Sequence, residues 1–308
     1  MTITPPRSLE LPRAIDPLAP GGPGRYADDV IDVRRGGPVP PHATRTPSFA
    51  TWTDHHRVHL VHELAPERID NDLAGLVAEE LFAPGWLGGS DLFERVMTGV
   101  VVSSAAEPAA AWELFYRNTL DRLADLEDST EPNRTGHVEG SLAAYAPVYA
   151  YADGLVGQGT VLELGSCFGF LSLRLARRVP VTASDATANT VRLLARVAPR
   201  LGLSVDTLIC DAARVPRPAS SYDTVLAIHL LEHLEPDHGA AVLREMQRLA
   251  RQRVVVAVPF EEEPTAAFGH VRTFDADDLA TLGAASGWAW ATHEHHGGWL
   301  VLDRRSTV

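Results

Sequence analysis

The sequence contains no lysine, because all 27 of its basic residues are arginine. A mechanism that needs a lysine amine, such as a Schiff base or a P-loop, is therefore excluded. Cysteine is almost as scarce, since Cys167 and Cys210 are too few for a disulfide-stapled scaffold. No apolar run reaches the roughly 18 residues of a membrane span, and the N-terminal residues lack the pattern of a secretion signal. We therefore expect a cytoplasmic protein without a membrane partner.

Basic residues are also fewer than acidic residues. The chain carries 40 acidic residues against 27 basic ones, which gives a formal net charge of −13. Binding to phosphate backbones requires a positive surface, so nucleic acid is excluded as a partner. The 308 residues, 45% of them hydrophobic, are enough for one large or two small domains with a sizeable core. None of these quantities predicts an oligomeric state.

Three regions of the chain differ in composition and periodicity. Residues 1–52 are rich in proline and glycine and show little apolar periodicity, so we expect a poorly ordered tail. Residues 53–133 show helical periodicity, with one helix beginning near Pro108, which predicts a small all-helical region that could act as a lid. Over residues 134–308, short apolar runs alternate with helical segments. This alternation predicts an α/β fold with a doubly wound, mostly parallel sheet, and Gly297–Gly298 predicts a C-terminal antiparallel hairpin.

The run ELGSCFG follows the first predicted strand of this last region and leads directly into a helix. Gly165 and Gly169 permit a tight turn and let a ligand approach the backbone closely. Asp185 ends the second strand, at a separation from Glu163 that is typical of an acid that binds ribose hydroxyls. Asp211 ends the third strand, where an acid can accept a hydrogen bond from an adenine amino group. The glycines lack the G-x-G-x-x-G spacing of nicotinamide-binding sites, which disfavours that alternative.

These motifs resemble those of the class I S-adenosylmethionine-dependent methyltransferases, over roughly residues 137–308. The resemblance rests on ELGSCFG, on SD and CDA at strands two and three, and on YDTVLAIHLLEHL at strand four. It implies a seven-stranded Rossmann-like sheet and S-adenosylmethionine as cofactor. It also implies a set of cofactor-binding residues at the ends of these strands: Glu163, Gly165, Ser166, Cys167, Gly169, Asp185, Ala186, Asp211, Ala212 and His229. Cys167 departs from the family pattern, which commonly has glycine at that position.

The string HLLEHL, residues 229–234, also fits H-x-x-E-H, a zinc protease signature. A protease carries that motif on a long helix, whereas here it follows a buried strand and is cut off by Pro236, so a peptidase is disfavoured. Ligands bind at the carboxyl ends of parallel strands, so we expect the motif to face the methyl-transfer pocket. Its residues could provide a general base, a metal site or merely pocket lining. The candidate bases are His233, His229 and His270, and the candidate metal ligands are His229, Glu232, His233 and His270.

The metal alternative resembles the E-x-x-E-H cluster of small-RNA 2′-O-methyltransferases, with His229 in place of their first glutamate. Two further pairs are candidate substrate-binding residues. Glu261 and Glu262 follow the fifth strand and could hydrogen-bond a polyhydroxyl acceptor, or they could form a solvated acidic loop. His137 and Glu139 precede the first strand, where this family often folds a segment over the cofactor, although they could simply begin a helix.

A narrower resemblance covers roughly residues 55–305. Segments such as GWLGG, FERVMTGVV and HVEGSLAAYAPVYAYADGLV are similar to those of actinobacterial methyltransferases linked to mycofactocin, a peptide-derived redox cofactor with a glucose chain. The resemblance implies O-methylation of a sugar hydroxyl, and hence a small-molecule or oligosaccharide acceptor. One alternative is an N- or C-methyltransferase that acts on another small metabolite. A different class of alternative is an S-adenosylmethionine-binding regulator or pseudoenzyme without turnover.

Overall fold

The computed structural model describes residues 15–19, 22–55, 57–128, 141–265 and 269–304. The chain divides into two units, residues 1–115 and residues 116–308. Each unit has its own β-sheet. The predicted boundary near residue 133 therefore differs from the structural division, which falls inside a helix, Pro108–Asp128.

The N-terminal unit is built on a five-stranded sheet with the strand order β1-β2-β5-β4-β3. β2 and β5 are parallel, and the other neighbouring pairs are antiparallel. Ile31, Val33 and Leu60 are wholly buried. The strands are β1 (Arg25–Ala27), β2 (Ile31–Arg35), β3 (Thr44–Arg45), β4 (Phe49–Asp54) and β5 (Arg57–His62).

This sheet corrects two expectations from the sequence. The region 1–52 contains strands where we expected a poorly ordered tail, and β5 lies in the region 53–133 that we expected to be all helical. The physical reason is that glycines and prolines occupy the turns, as at Gly36 and Gly37, whose φ angles are 73° and 116°. The strands between these turns have only two to six residues, which is too short to show a clear period.

Three helices follow this sheet in the chain. α1 (Leu73–Val77) continues into a π-helical turn, Ala78–Phe82, and is followed by α2 (Ser90–Val102) and α3 (Pro108–Asp128). α3 begins at Pro108, where the sequence predicts the start of a helix. α2 packs closely on β2, because a Cβ on Gly99 would lie 2.3 Å from Val33 Cγ2. Glycine at this position thus lets the helix approach the sheet.

The C-terminal unit confirms the predicted fold class. Its seven-stranded sheet has the order β11-β12-β10-β9-β6-β7-β8, and its first five strands along the chain are parallel. The order reverses between β6 and β9, a position where α/β sheets bind ligands. The strands are β6 (Val161–Leu164), β7 (Val181–Asp185), β8 (Asp206–Ile209), β9 (Tyr222–Ile228), β10 (Ala250–Val258), β11 (Ala289–Glu294) and β12 (Gly298–Asp303).

Helices cover both faces of this sheet, which explains why its strands are continuous apolar runs. Within β10, Val254 and Val256 belong to one hydrophobic cluster, while Val255 and Ala257 belong to a second. β11 and β12 form the predicted antiparallel hairpin. The helices are α4 (Leu142–Leu155), α5 (Phe170–Leu175), α6 (Ala188–Val197), α7 (Pro236–Leu249) and α8 (Ala276–Ala285). In the described part of the chain, no helix combines the length and apolarity needed to cross a membrane.

Candidate active site

The glycine loop after β6 has two positions that only glycine fits. Gly165 and Gly169 have positive φ angles of 70° and 75°, which residues with a Cβ disfavour. A Cβ on Gly165 would lie 2.8 Å from Leu230 Cδ1, and one on Gly169 would lie 2.5 Å from Leu194 Cδ2. Backbone conformation and available space therefore both require glycine here, as the sequence pattern predicts.

Two polar side chains of this loop region are buried. The Ser166 amide donates a hydrogen bond to the Ser184 carbonyl at 2.9 Å. Its hydroxyl has no hydrogen-bond partner among the described residues, and a buried polar group without a partner is costly. Glu163, at the end of β6, accepts a hydrogen bond from Ser172 Oγ. Burial raises the pKa of Glu163 to about 7. A ligand in this loop could satisfy the Ser166 hydroxyl.

Asp185 closes the loop from the end of β7. Its Oδ2 accepts a hydrogen bond from the amide of Cys167 at 2.9 Å, and its Oδ1 accepts one from the amide of Thr187 at 2.8 Å. Cys167 is exposed and has a φ angle of 48°, an uncommon conformation for a residue other than glycine. Each carboxylate oxygen retains acceptor capacity, because an ionised carboxylate offers about four lone-pair sites. The geometry thus leaves Asp185 able to accept hydrogen bonds from two hydroxyls.

Asp211 lies just beyond β8 and has a partner that the sequence did not reveal. Its Oδ1 accepts hydrogen bonds from the Ala213 amide at 2.8 Å and from His238 Nε2 at 2.9 Å. The Ala213 amide and His238 both lower the pKa of Asp211, so its carboxylate is ionised at neutral pH. His238 lies in the first turn of α7, and no spacing pattern connects it to Asp211. Only the tertiary fold brings these residues together.

The HLLEHL segment forms a 3₁₀ helix, Leu231–His233, immediately beyond the exit of β9. Glu232 is wholly buried, and neither of its carboxylate oxygens has a hydrogen-bond partner among the described residues. Burial raises the pKa of Glu232 to about 8. His229 precedes the helix with a φ angle of 53°, so it does not share a helical face with Glu232 and His233.

Two histidines with oriented rings accompany Glu232. His270 Nδ1 lies 2.7 Å from Glu261 Oε2, and both side chains are 7% exposed. His233 Nδ1 lies 3.3 Å from the Gly269 carbonyl oxygen, and burial is the main cause that lowers its pKa. The two imidazole rings meet edge to face, with centroids 4.8 Å apart. One potential ligand atom from each of Glu232, His233 and His270 lies within 4.8 Å of the others.

The structure therefore brings together three of the four predicted metal ligands. His229 lies to one side of this group, with its Nδ1 3.9 Å from Glu232 Oε1. Its side chain is 21% exposed, and burial is the main cause that lowers its pKa to about 4. Glu262 is exposed, next to the enclosed Glu261, and Ala186 and Ala212 follow β7 and β8 as expected. His137 and Glu139 lie outside the described residues.

Residues 161–253 match a family profile described as "Methyltransferase domain". The chain carries a methyltransferase domain. The match begins at β6 and ends within β10, so it contains the glycine loop, Asp185, Asp211 and the HLLEHL segment. The prediction of a methyltransferase with S-adenosylmethionine as cofactor is confirmed at the level of this domain. The Ser166 hydroxyl and the two required glycines fit a bound ligand of that kind.

Solved structures of similar fold include two methyltransferases. Magnesium protoporphyrin IX methyltransferase from Synechocystis PCC 6803, solved with bound SAM, is 18% identical, with a TM-score of 0.42 over 60% of this chain and 90% of that chain. A SAM-dependent methyltransferase from Aquifex aeolicus is 16% identical, with a TM-score of 0.43 over 59% of this chain and 96% of that chain. Comparison with curated protein sequences yields no match.

Proposed function

We propose that this protein is an S-adenosylmethionine-dependent O-methyltransferase that methylates a sugar hydroxyl of a glycosylated small molecule, such as the mycofactocin oligoglucose chain, in the cytoplasm. One observation carries the proposal. The cluster of Glu232, His233 and His270 follows β9 and β10, on the same sheet edge as the glycine loop that follows β6. A group that activates an acceptor would therefore lie on the cofactor's side of the sheet, since β6 and β9 are adjacent.

The cofactor is assigned to the predicted residues at the exits of β6, β7 and β8. The glycine loop would receive the methionine moiety, with the Ser166 hydroxyl as a hydrogen-bonding group. Asp185 would accept hydrogen bonds from the ribose hydroxyls, and Asp211 from the adenine amino group. S-adenosylmethionine supplies the methyl group, and the protein's contribution is to align the acceptor oxygen with the methyl carbon for in-line displacement.

A sugar hydroxyl is a very weak acid, so methyl transfer to it requires help with removal of its proton. The candidates for that role remain His229, His233 and His270. His270 is the best oriented of the three, because a carboxylate can only accept the hydrogen bond and so fixes the proton on Nδ1. This tautomer places the lone pair of His270 on Nε2. The arrangement resembles the way an acidic residue orients a catalytic histidine in other enzymes.

The acceptor is assigned to the loop after β10. Glu262 is exposed and offers carboxylate oxygens to sugar hydroxyls, whereas its predicted companion Glu261 already accepts hydrogen bonds from Thr265 and His270. The sequence predicts that His137 and Glu139 contribute as well. Phe260, next to Glu261, is 37% exposed and presents an aromatic ring that could pack on the apolar face of a pyranose. The formal charge of −13 also favours a neutral glycan over an anionic acceptor.

The proposal is tested by incubating the purified protein with S-adenosylmethionine and an oligoglucosylated acceptor. We expect a product with one added methyl group, located on a sugar oxygen by linkage analysis, and no product from the same acceptor without its sugars. A methyl group on nitrogen or carbon would instead identify the alternative small-metabolite enzyme. If the protein binds S-adenosylhomocysteine but methylates no compound in any fraction of a cell extract, the alternative of an S-adenosylmethionine-binding regulator is favoured.

A further inference from the structure

We propose that Glu232, His233 and His270 hold a divalent transition-metal ion, and that this ion binds the acceptor through neighbouring sugar hydroxyls. The role of the ion in catalysis rests on the proposed function. The binding of the ion itself does not, because it depends only on the three side chains and their surroundings. His229, which the sequence grouped with these residues, is not part of the proposed ligand set.

The buried carboxylate of Glu232 is the first reason. Its side chain is only 1% exposed, and both oxygens are without hydrogen-bond partners in the described part of the chain. Buried carboxylates are normally paired, hydrogen-bonded or bound to a metal, because removing their charge from water is expensive. The Glu232 carbonyl does have a backbone partner, the Val271 amide at 2.9 Å. The side chain has no such partner, because His229 Nδ1, at 3.9 Å from Oε1, is beyond hydrogen-bond distance, and a cation would supply the missing counterpart.

The orientation of the two histidines is the second reason. The Gly269 carbonyl and the Glu261 carboxylate can only accept hydrogen bonds, so each neighbouring Nδ1 must carry the proton. The metal-binding lone pair then lies on Nε2 of both rings. A histidine that ligates a metal almost always donates its other N–H to a carboxylate or a backbone carbonyl. Here the Gly269 carbonyl accepts from His233 and the Glu261 carboxylate accepts from His270.

A further contact secures the carboxylate that orients His270. Glu261 Oε1 accepts a hydrogen bond from Thr265 Oγ1 at 2.6 Å, while its Oε2 faces His270 Nδ1. Glu261 is thus an orienting residue for a ligand and is not itself assigned to the ion. The potential ligand atoms lie within 4.8 Å of one another. Ligands at about 2.0–2.1 Å from one ion are at most about 4.2 Å apart, so ion binding would draw them slightly together.

The donor set points to the class of ion. Two imidazole nitrogens and one carboxylate oxygen suit Zn²⁺, Mn²⁺ or Fe²⁺, whereas Ca²⁺ and Mg²⁺ favour oxygen ligands. Three protein ligands leave coordination positions open for substrate, as in catalytic metal sites. Two adjacent hydroxyls of a sugar could fill those positions. This arrangement favours acceptors that carry a vicinal diol over acceptors with an isolated hydroxyl.

The chemical step balances without an additional reagent. With their Nε2 atoms bound to the ion, His233 and His270 would be ligands in place of the base considered above. The acceptor hydroxyl would then release its proton to water, helped by polarisation at the ion. The oxygen's electron pair then forms the new bond to the methyl carbon. The electron pair of the breaking carbon–sulfur bond returns to sulfur, so the sulfonium becomes the neutral thioether of S-adenosylhomocysteine.

The test is calorimetric titration of the EDTA-treated full-length protein with ZnCl₂. We expect one ion per chain, and we expect Glu232→Gln and His270→Asn each to weaken binding by about tenfold or more, as loss of a ligand or its support does. His295→Asn and Glu263→Gln are matched controls. His295 is a half-buried histidine of the histidine-rich run HEHH, residues 293–296, which could bind zinc adventitiously, and Glu263 is an exposed acid of the same loop as Glu261. Neither control should change the affinity for the ion.

Titration with S-adenosylhomocysteine separates this inference from the proposed function. The Glu232 and His270 variants should bind it as the unmodified protein does, which also shows that they are folded. Absence of zinc binding with intact S-adenosylhomocysteine binding would overturn the metal site alone. Zinc binding that is lost only in His295→Asn would also overturn it. Zinc binding without any affinity for S-adenosylhomocysteine would instead overturn the proposed function and leave the ion site standing.

Discussion

The carboxylates at the exits of β7 and β8, the cofactor end of the candidate active site, have different surroundings from the carboxylate at the exit of β9, the acceptor end. At the exits of β7 and β8, Asp185 accepts two backbone hydrogen bonds, and Asp211 is held by a backbone amide and an imidazole. At the exit of β9, Glu232 is wholly buried with neither oxygen satisfied among the described residues. Hydrogen bonding lowers the pKa of Asp211, whereas burial raises that of Glu232 to about 8.

This difference indicates how far the side chains at each end are already ordered before a ligand binds. The cofactor end is already organised, because the protein's own groups hold its acids: backbone amides donate to Asp185 and Asp211, and the Ser172 hydroxyl donates to the buried Glu163. Such a site binds its ligand without having to order its side chains first. The acceptor end contains an unsatisfied group whose charge is favourable only when a partner is present. The predictions below test the organised end, from the largest expected effect to the smallest.

Asp185→Ala should cause the largest loss. It removes the carboxylate that we propose as the acceptor for the ribose hydroxyls, and it releases the Cys167 amide that the carboxylate holds. Hydrogen bonds to charged groups contribute about 1.5–3 kcal/mol each, so affinity for S-adenosylhomocysteine should fall by roughly 100-fold or more. Calorimetric titration measures this. Asp206→Ala, at the opposite end of the neighbouring strand β8, is the control and should bind normally. Equal affinity of the two variants for S-adenosylhomocysteine would contradict the assignment of Asp185 to an organised cofactor end.

Glu163 should make stability depend on pH. Burial raises its pKa from 4.5 to about 7 in the folded state. The unfolded chain therefore releases its proton first, and the contribution of Glu163 to stability is full below about pH 4.5 and lost as pH rises to about 7. The loss amounts to at most about 3 kcal/mol. Denaturant unfolding at pH 5 and pH 7.5 should show a smaller decrease in Glu163→Gln than in the unmodified protein. An identical decrease in both proteins would contradict the assignment.

Gly169→Ala should cost about 1–3 kcal/mol of stability, because its left-handed backbone and its contact with Leu194 are both incompatible with a Cβ. Cofactor affinity should fall with it, since the loop must shift. Gly154→Ala is the matched control. Gly154 lies inside α4, and a Cβ added there would meet no described atom within 4 Å, so alanine should stabilise the helix by about 0.5–1 kcal/mol. Thermal unfolding of the two variants should therefore shift in opposite directions.

The parts that the sequence predicted are those with a local physical signature. Runs such as YDTVLAI are apolar because both faces of the sheet are covered, and Gly165 and Gly169 are needed for a turn that no other residue can make. The N-terminal sheet was missed because its strands are short and are separated by glycine and proline. The sequence indicated that HLLEHL lies beyond a strand end, but it could not show that Glu232 and His233 approach His270 while His229 stays outside that group, because this depends on the 3₁₀ turn and on the later loop.

His238→Asn should have the smallest effect, and it tests a cofactor-side contact that no sequence pattern indicated. The imidazole donates to Asp211 Oδ1 at 2.9 Å, but His238 is exposed and the Ala213 amide holds the same oxygen. Loss of one such bond should weaken S-adenosylhomocysteine binding by a few-fold, or about 1 kcal/mol. His238 helps to lower the pKa of Asp211, so Asp211 of the variant should become protonated at a higher pH. On acidification, the variant's affinity for S-adenosylhomocysteine should therefore begin to fall at a higher pH than that of the unmodified protein. A loss as large as that of Asp185→Ala would show that the adenine end is organised by the side chain of α7 and not by the backbone.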